Sequence, residues 1–142
     1  MLKLTKIFHF EAAHAIHGYE GQCKHIHGHS YELHVTFATK MDTEKYIPGP
    51  GFIIDFKEIK KIVKNEIIVN FDHKLILSKK YIKDNNYIVN PENIVIWEME
   101  PTVENLLLFI KEVISQLIPS HIELDNLIMY ETKDSYAQWT KS

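Results

Sequence analysis

Phe8, Phe10, Ala12 and His14 share one parity near the N-terminus, with His9 and Glu11 on the other. A period of two marks a half-buried strand, here over residues 5–15 and reaching His14. The period returns from Gly28 to Thr39, where His29, Tyr31, Leu33, Val35 and Phe37 oppose Ser30, Glu32, His34 and Thr36. This predicts a second strand, antiparallel to the first. Residues 16–26, with Gly18 and Gly21 among polar neighbours, read as a loop that carries Cys23.

Pro48-Gly49-Pro50-Gly51 signals a turn. Asp55 then stands as an N-cap with Glu58 three residues on, the spacing of a capping box. Phe56, Ile59, Ile62, Val63 and Ile67 follow at helical spacing. Residues 72–100 carry no single period; Asp84-Asn85-Asn86 breaks them before the apolar run Ile94–Trp97. Pro101-Thr102 stops one element and caps another. Val103, Leu106, Leu107, Ile110, Val113, Ile114 and Leu117 form that helix's apolar face, which ends near Pro119. Two closing strands, about 122–132 and 135–140, complete a β-β-α-β-β-like order with a helix and an irregular section inserted.

The 142 residues make one domain, 1–142, large enough for a real core. A formal net charge of -3 offers no electrostatic case for nucleic acid or an anionic membrane. Two lysine clusters (Lys57, Lys60, Lys61, Lys64; Lys79, Lys80, Lys83) read as a solvated helix face and a charged loop. One cysteine excludes an internal disulfide and fits a reducing compartment. Residues 1–6 lack the apolar stretch of a signal peptide, and the longest apolar run, Leu106–Ile110, is too short to span a bilayer. A cytoplasmic protein is the expectation.

The chemistry concentrates at His27-Gly28-His29. Imidazoles at i and i+2 of an extended segment share a face, and Gly28 between them permits close approach. Antiparallel pairing brings His14 opposite. Three neutral imidazoles with a vacant fourth position are how a catalytic zinc is usually held. His25 has the parity of the pair and competes as a ligand. His9, His17, His34 and His121 read as core or surface residues. Cys23 is open to three readings: a small buried residue, a fourth ligand closing a structural site, or a thiolate base beside the metal. Asp72-His73 has the chemistry of an oriented imidazole.

Phe10-Glu11-Ala12-Ala13-His14, then Cys23-Lys24-His25-Ile26-His27-Gly28-His29-Ser30, Ile54-Asp55-Phe56, Asp72-His73-Lys74, Pro101-Thr102-Val103-Glu104-Asn105 and Tyr130-Glu131-Thr132 occur in one order. The ordered set resembles the 6-pyruvoyltetrahydropterin synthase / 6-carboxytetrahydropterin synthase family across almost the whole sequence. Three residues between Cys23 and His27 resemble the carboxy-forming branch.

The resemblance implies a metal site of His14, His27 and His29 holding Zn²⁺, open to substrate hydroxyls. It implies Cys23 as the proton-abstracting thiolate with Asp72 and His73 as relay partners, and Glu131 as the anchor of a pterin ring. Thr102 and Glu104 would line the pterin pocket, although capping explains them equally well. Asp55 reads as a helix cap alone.

The activity implied is conversion of 7,8-dihydroneopterin triphosphate to 6-carboxy-5,6,7,8-tetrahydropterin, towards queuosine and related deazapurines. The rivals are the pyruvoyl-forming reaction and a non-catalytic, closed Cys-His₃ zinc module. The fold implied is the α+β T-fold, a four-stranded antiparallel sheet with two helices on one face. Such sheets join edge to edge into a trimeric barrel, two trimers stack as a hexamer, and active sites lie between subunits. The stretch from Ser78 to Glu100 is longer than in compact family members.

Overall fold

The computed structural model describes residues 1–21, 24–87 and 92–142. In chain order the strands are β1 (Lys3–His14), β2 (His27–Thr39), β3 (Lys74–Ser78), β4 (Ile94–Trp97), β5 (Ile122–Thr132) and β6 (Ser135–Thr140). The helices are α1 (Phe56–Val63), α2 (Val69–Phe71), α3 (Lys79–Asp84) and α4 (Val103–Ser115). The first two strands and the two closing strands fall within a few residues of their predicted positions.

β1 and β2 are antiparallel from Lys3 opposite Ala38 to His14 opposite His27. β2 pairs β5, and β5 pairs β6, also antiparallel. The expected four-stranded sheet is corrected here: the sheet has six strands in the order β4-β3-β1-β2-β5-β6, with β3 and β4 added parallel to β1. Both additions come from the stretch that showed no period. Leu75-Ile76-Leu77 is a continuous apolar run because both faces of β3 are covered, so no alternation marks it.

Asp55 caps α1, its Oδ1 accepting the Lys57 N–H at 2.8 Å. The reciprocal Glu58 side-chain bond of a capping box is absent among the described residues; Glu58 instead donates its backbone N–H to the Asp55 carbonyl. The helix continues through a π-helical segment, Lys64–Ile68, into α2. That wider turn brings Ile67 and Ile68 to the core together, alongside Ile59, Val63 and Phe71. α4 buries Leu106, Leu107, Ile110 and Ile114. These side chains pack on Phe8, Phe10, Tyr31, Leu33, Val35 and Met129 of the sheet. Each full burial of this kind contributes about 1.5–3 kcal/mol.

The two predicted helices, α1 and α4, share the core face, and a third helix is added on the other. Leu77 has the opposite parity to the core residue Ile76, and with Ala15 and Tyr81 it forms a separate small cluster. Tyr81 belongs to α3, so α3 covers the other face of the sheet at its β3 end. Among the described residues no helix is long and apolar enough to cross a membrane.

Candidate functional site

The register of the first hairpin builds the centre of the site. His14 stands opposite His27, and Ala12 opposite His29, so all three imidazoles emerge on the core face of the sheet. Their ring centroids lie 4.6, 4.8 and 5.0 Å apart, with steep interplanar angles of 65°, 89° and 86°. Among the described residues they are the one group whose ligand atoms converge closely enough for a metal ion, all within 4.8 Å of one another.

Hydrogen bonds to the backbone set the tautomers. His14 Nδ1 lies 2.6 Å from the Pro101 carbonyl, and His27 Nδ1 lies 2.7 Å from the His25 carbonyl. A carbonyl only accepts, so in each ring Nδ1 carries the proton and the neutral ring's Nε2 offers a lone pair. Those two Nε2 atoms face each other at 3.1 Å. His29 Nε2 is buried without a hydrogen-bond partner. Two opposed lone pairs and an orphaned third nitrogen fit a cation bound by nitrogen donors. His25 contributes its carbonyl rather than its ring.

Burial lowers the His14 pKa from 6.5 to about 4; the Pro101 carbonyl opposes this, and His27 and His29 add to it. Burial also lowers His29, against the nearby Glu131 carboxylate. Both effects favour the neutral rings that a metal requires.

The carboxylate of Glu131, near the end of β5, overlooks this centre. Its oxygens lie 4.0 Å from His14 Nε2 and 3.8 Å from His29 Nε2. Beneath it is Tyr31, stacked on Phe10, with its hydroxyl buried and unpartnered. Burial and then Glu131 push the Tyr31 phenol well above its usual range, keeping it protonated.

Two cavities flank the triad. One, of about 280 Å³, is lined by His14, Ile16, Tyr19, Thr102, Val103, Glu104 and Glu131. Thr102 Oγ1 accepts the Asn105 N–H, capping α4, and the residue also lines this cavity. The second, of about 290 Å³, is bordered by Gly28, His29 and His73.

Asp72 and His73 belong to this second side. Asp72 Oδ1 accepts the Glu11 N–H at 2.9 Å, while the Glu11 carbonyl accepts the His73 N–H at 2.6 Å. His73 takes a left-handed φ of 60°, and its side chain is 80% exposed. Its Nε2 is 3.8 Å from Asp72 Oδ1, too far for a hydrogen bond. Cys23, the expected base, lies outside the described residues.

Gly28 does not act as its spacing suggested, since a Cβ there would meet only the Ala12 carbonyl at an ordinary 3.6 Å. The pattern missed Tyr31 and the Pro101 carbonyl as supports of the site. Tyr31 looked like one more core position, and a backbone carbonyl leaves no signature in a sequence.

The mixed sheet that carries this triad has the fold of solved pterin synthases. Residues 3–142 match the 6-pyruvoyl tetrahydropterin synthase family, and the chain belongs to it. Among curated relatives, the 6-carboxy-5,6,7,8-tetrahydropterin synthase of Rickettsia typhi is 34% identical, covering 97% of this chain and 99% of that one. The protein of the same name from Rickettsia bellii is 32% identical with the same coverage.

Among solved structures, Plasmodium vivax 6-pyruvoyl tetrahydropterin synthase superposes with a TM-score of 0.74 at 18% identity, covering 100% of this chain and 99% of that one. The Caenorhabditis elegans enzyme gives 0.70 at 19% identity, covering 99% and 96%. These last two likenesses establish the fold.

Proposed function

We propose that this protein is a zinc-dependent lyase converting 7,8-dihydroneopterin triphosphate to 6-carboxy-5,6,7,8-tetrahydropterin. The observation that carries the reading is the triad itself: two Nε2 lone pairs 3.1 Å apart with a third buried, unpartnered nitrogen beside them. The full-length relatives named 6-carboxy-5,6,7,8-tetrahydropterin synthase direct it to this product.

His14, His27 and His29 hold the zinc, which supplies Lewis acidity toward the hydroxyls of the substrate side chain. Glu131 accepts two N–H bonds from the amino-pyrimidinone edge of the pterin. Thr102 and Glu104, at the first turn of α4, complete that wall. Cys23 abstracts the proton. His73, reaching solvent, passes protons on, and Asp72 orients the elbow that carries it. Cleavage of the carbon–carbon bond next to the ring-bound carbon, with uptake of one water, leaves that carbon as carboxylate and releases a two-carbon aldehyde and triphosphate. The net two-electron oxidation of the side chain is balanced by reduction of the ring from the dihydro to the tetrahydro level.

β4 and β6 are open edges of the sheet, and edge-to-edge association of copies into a barrel covers them. That assembly is a homo-oligomer, trimer or hexamer, with active sites between subunits, working in the cytoplasm. Mass spectrometry of the products formed by zinc-loaded protein from dihydroneopterin triphosphate tests the reaction. A 6-carboxy product supports it. A 6-pyruvoyl product moves the protein to the other branch, and no turnover with a zinc-loaded, folded protein favours a structural metal.

A further inference from the structure

Glu131 is placed for two tasks at once. Its side chain is three-quarters buried, with a relative exposure of 25%. Among the described residues its carboxylate accepts no hydrogen bond. A carboxylate so enclosed needs a compensating partner. On one side are His14 Nε2 and His29 Nε2, at 4.0 and 3.8 Å. On the other is the cavity it shares with Thr102, Val103 and Glu104.

Donor atoms on a tetrahedral zinc stand about 3.3 Å apart, given metal–ligand bonds of about 2.0–2.1 Å. One Glu131 oxygen is about 0.7 Å beyond that spacing from His14 Nε2 and the other about 0.5 Å beyond it from His29 Nε2, so a shift of that size would bring the carboxylate to coordinating distance. The same carboxylate forms part of the wall a pterin would meet.

We infer that Glu131 is a shared group: without pterin its carboxylate is drawn to the metal centre, and pterin binding takes it away. The inference rests on the zinc and pterin assignments proposed above. It adds that the two ligands compete for one carboxylate. Pterin then frees a position at the metal as its side chain arrives, so the site is most open when substrate is present. By thermodynamic linkage, pterin weakens metal binding by the factor by which metal weakens pterin binding.

The test uses the full-length protein loaded with cobalt(II) in place of zinc, and 6-methyl-7,8-dihydropterin as probe. That probe has no side-chain oxygen to reach the metal, so any change in the cobalt spectrum comes through the protein. Adding it to the wild-type protein should change the intensity of the visible cobalt bands, and should weaken zinc binding, measured by competition with a chelator, about tenfold.

Glu131→Gln should weaken zinc binding about tenfold to a hundredfold. Once saturated with probe, its cobalt spectrum should not respond. Glu131→Asp, which keeps the charge, should restore part of the response.

A wild-type protein that binds zinc and probe with neither affecting the other overturns the sharing and leaves the metal and pterin assignments standing. A wild-type protein that takes up no zinc, or binds no probe, overturns those assignments and this inference with them.

Discussion

His14 and His27 face each other across the first antiparallel ladder with their Nε2 atoms 3.1 Å apart, while the Nδ1 of each is committed to a backbone carbonyl. With both rings neutral, two lone pairs point into the same small space. A bound cation relieves that repulsion, whereas burial and the neighbouring imidazoles oppose a proton on His14. The metal content and acid sensitivity of the protein follow from this one relationship.

Purified protein should carry about one zinc per protomer. His27→Ala or His29→Ala should each remove most of it. His25→Ala should retain it, because only the His25 carbonyl supports the site. Elemental analysis of the purified variants decides the matter, and full zinc in His29→Ala would refute the ligand set.

The metal-free protein should lose stability as pH falls from about 6.5 toward about 4. In the folded state His14 is depressed to about 4 from 6.5, so across that window the unfolded state binds the extra proton. Stability is therefore full above the unfolded value and declines with acid, by up to about 3 kcal/mol from this residue. Urea denaturation of chelator-treated protein between pH 7 and 4 measures it. A flat profile would contradict the burial of His14 as a neutral ring.

Cys23→Ala should keep its zinc and its fold yet lose turnover by orders of magnitude, on the order of 10²–10⁴-fold for loss of a general base. Metal analysis, circular dichroism and product formation together read this out. Loss of metal and fold together would make Cys23 a ligand and the site structural.

Glu131→Gln, studied under saturating zinc, should bind a pterin at least about tenfold more weakly while keeping its fold and oligomeric state. Gln preserves shape and replaces an acceptor with a donor, so the change reports charge and pairing. Calorimetric titration with the 6-carboxy product would expose the opposite result, an unchanged affinity.

Thr102→Ala should cost about 1 kcal/mol through loss of the α4 cap, and Thr102→Ser should restore it. If pterin affinity falls in Thr102→Ala and returns in Thr102→Ser, the hydroxyl serves the cavity as well as the helix. Thermal melts and the same titration separate the two contributions.

The imidazole triad was legible because β1 and β2 alternate with period two, and their antiparallel register puts His14, His27 and His29 on one face. The α4 helix was legible for the same reason at its own period, although Leu117 falls beyond its end at Ser115 and is exposed. β3 escaped because α3 covers one face of it and the main core the other, erasing alternation at Leu75-Ile76-Leu77. The π segment escaped because Ile67 and Ile68 break the helical stripe by a single step. The wall around Glu131 is assembled from residues distant in sequence, and only the order of short matching segments pointed to it.

All three imidazoles hang from β1 and β2, whereas Thr102, Val103 and Glu104 come from the start of α4. Under the proposed function, reactivity and selectivity would thus be inherited on separate stretches of sequence. Substitutions around Thr102 would then retune which heterocycle is held while the imidazoles go untouched, a route by which one fold could diversify its substrates without reinventing its metal. Glu131 would be the hinge between the two inheritances, the residue at which a change of taste would also be felt as a change of chemistry.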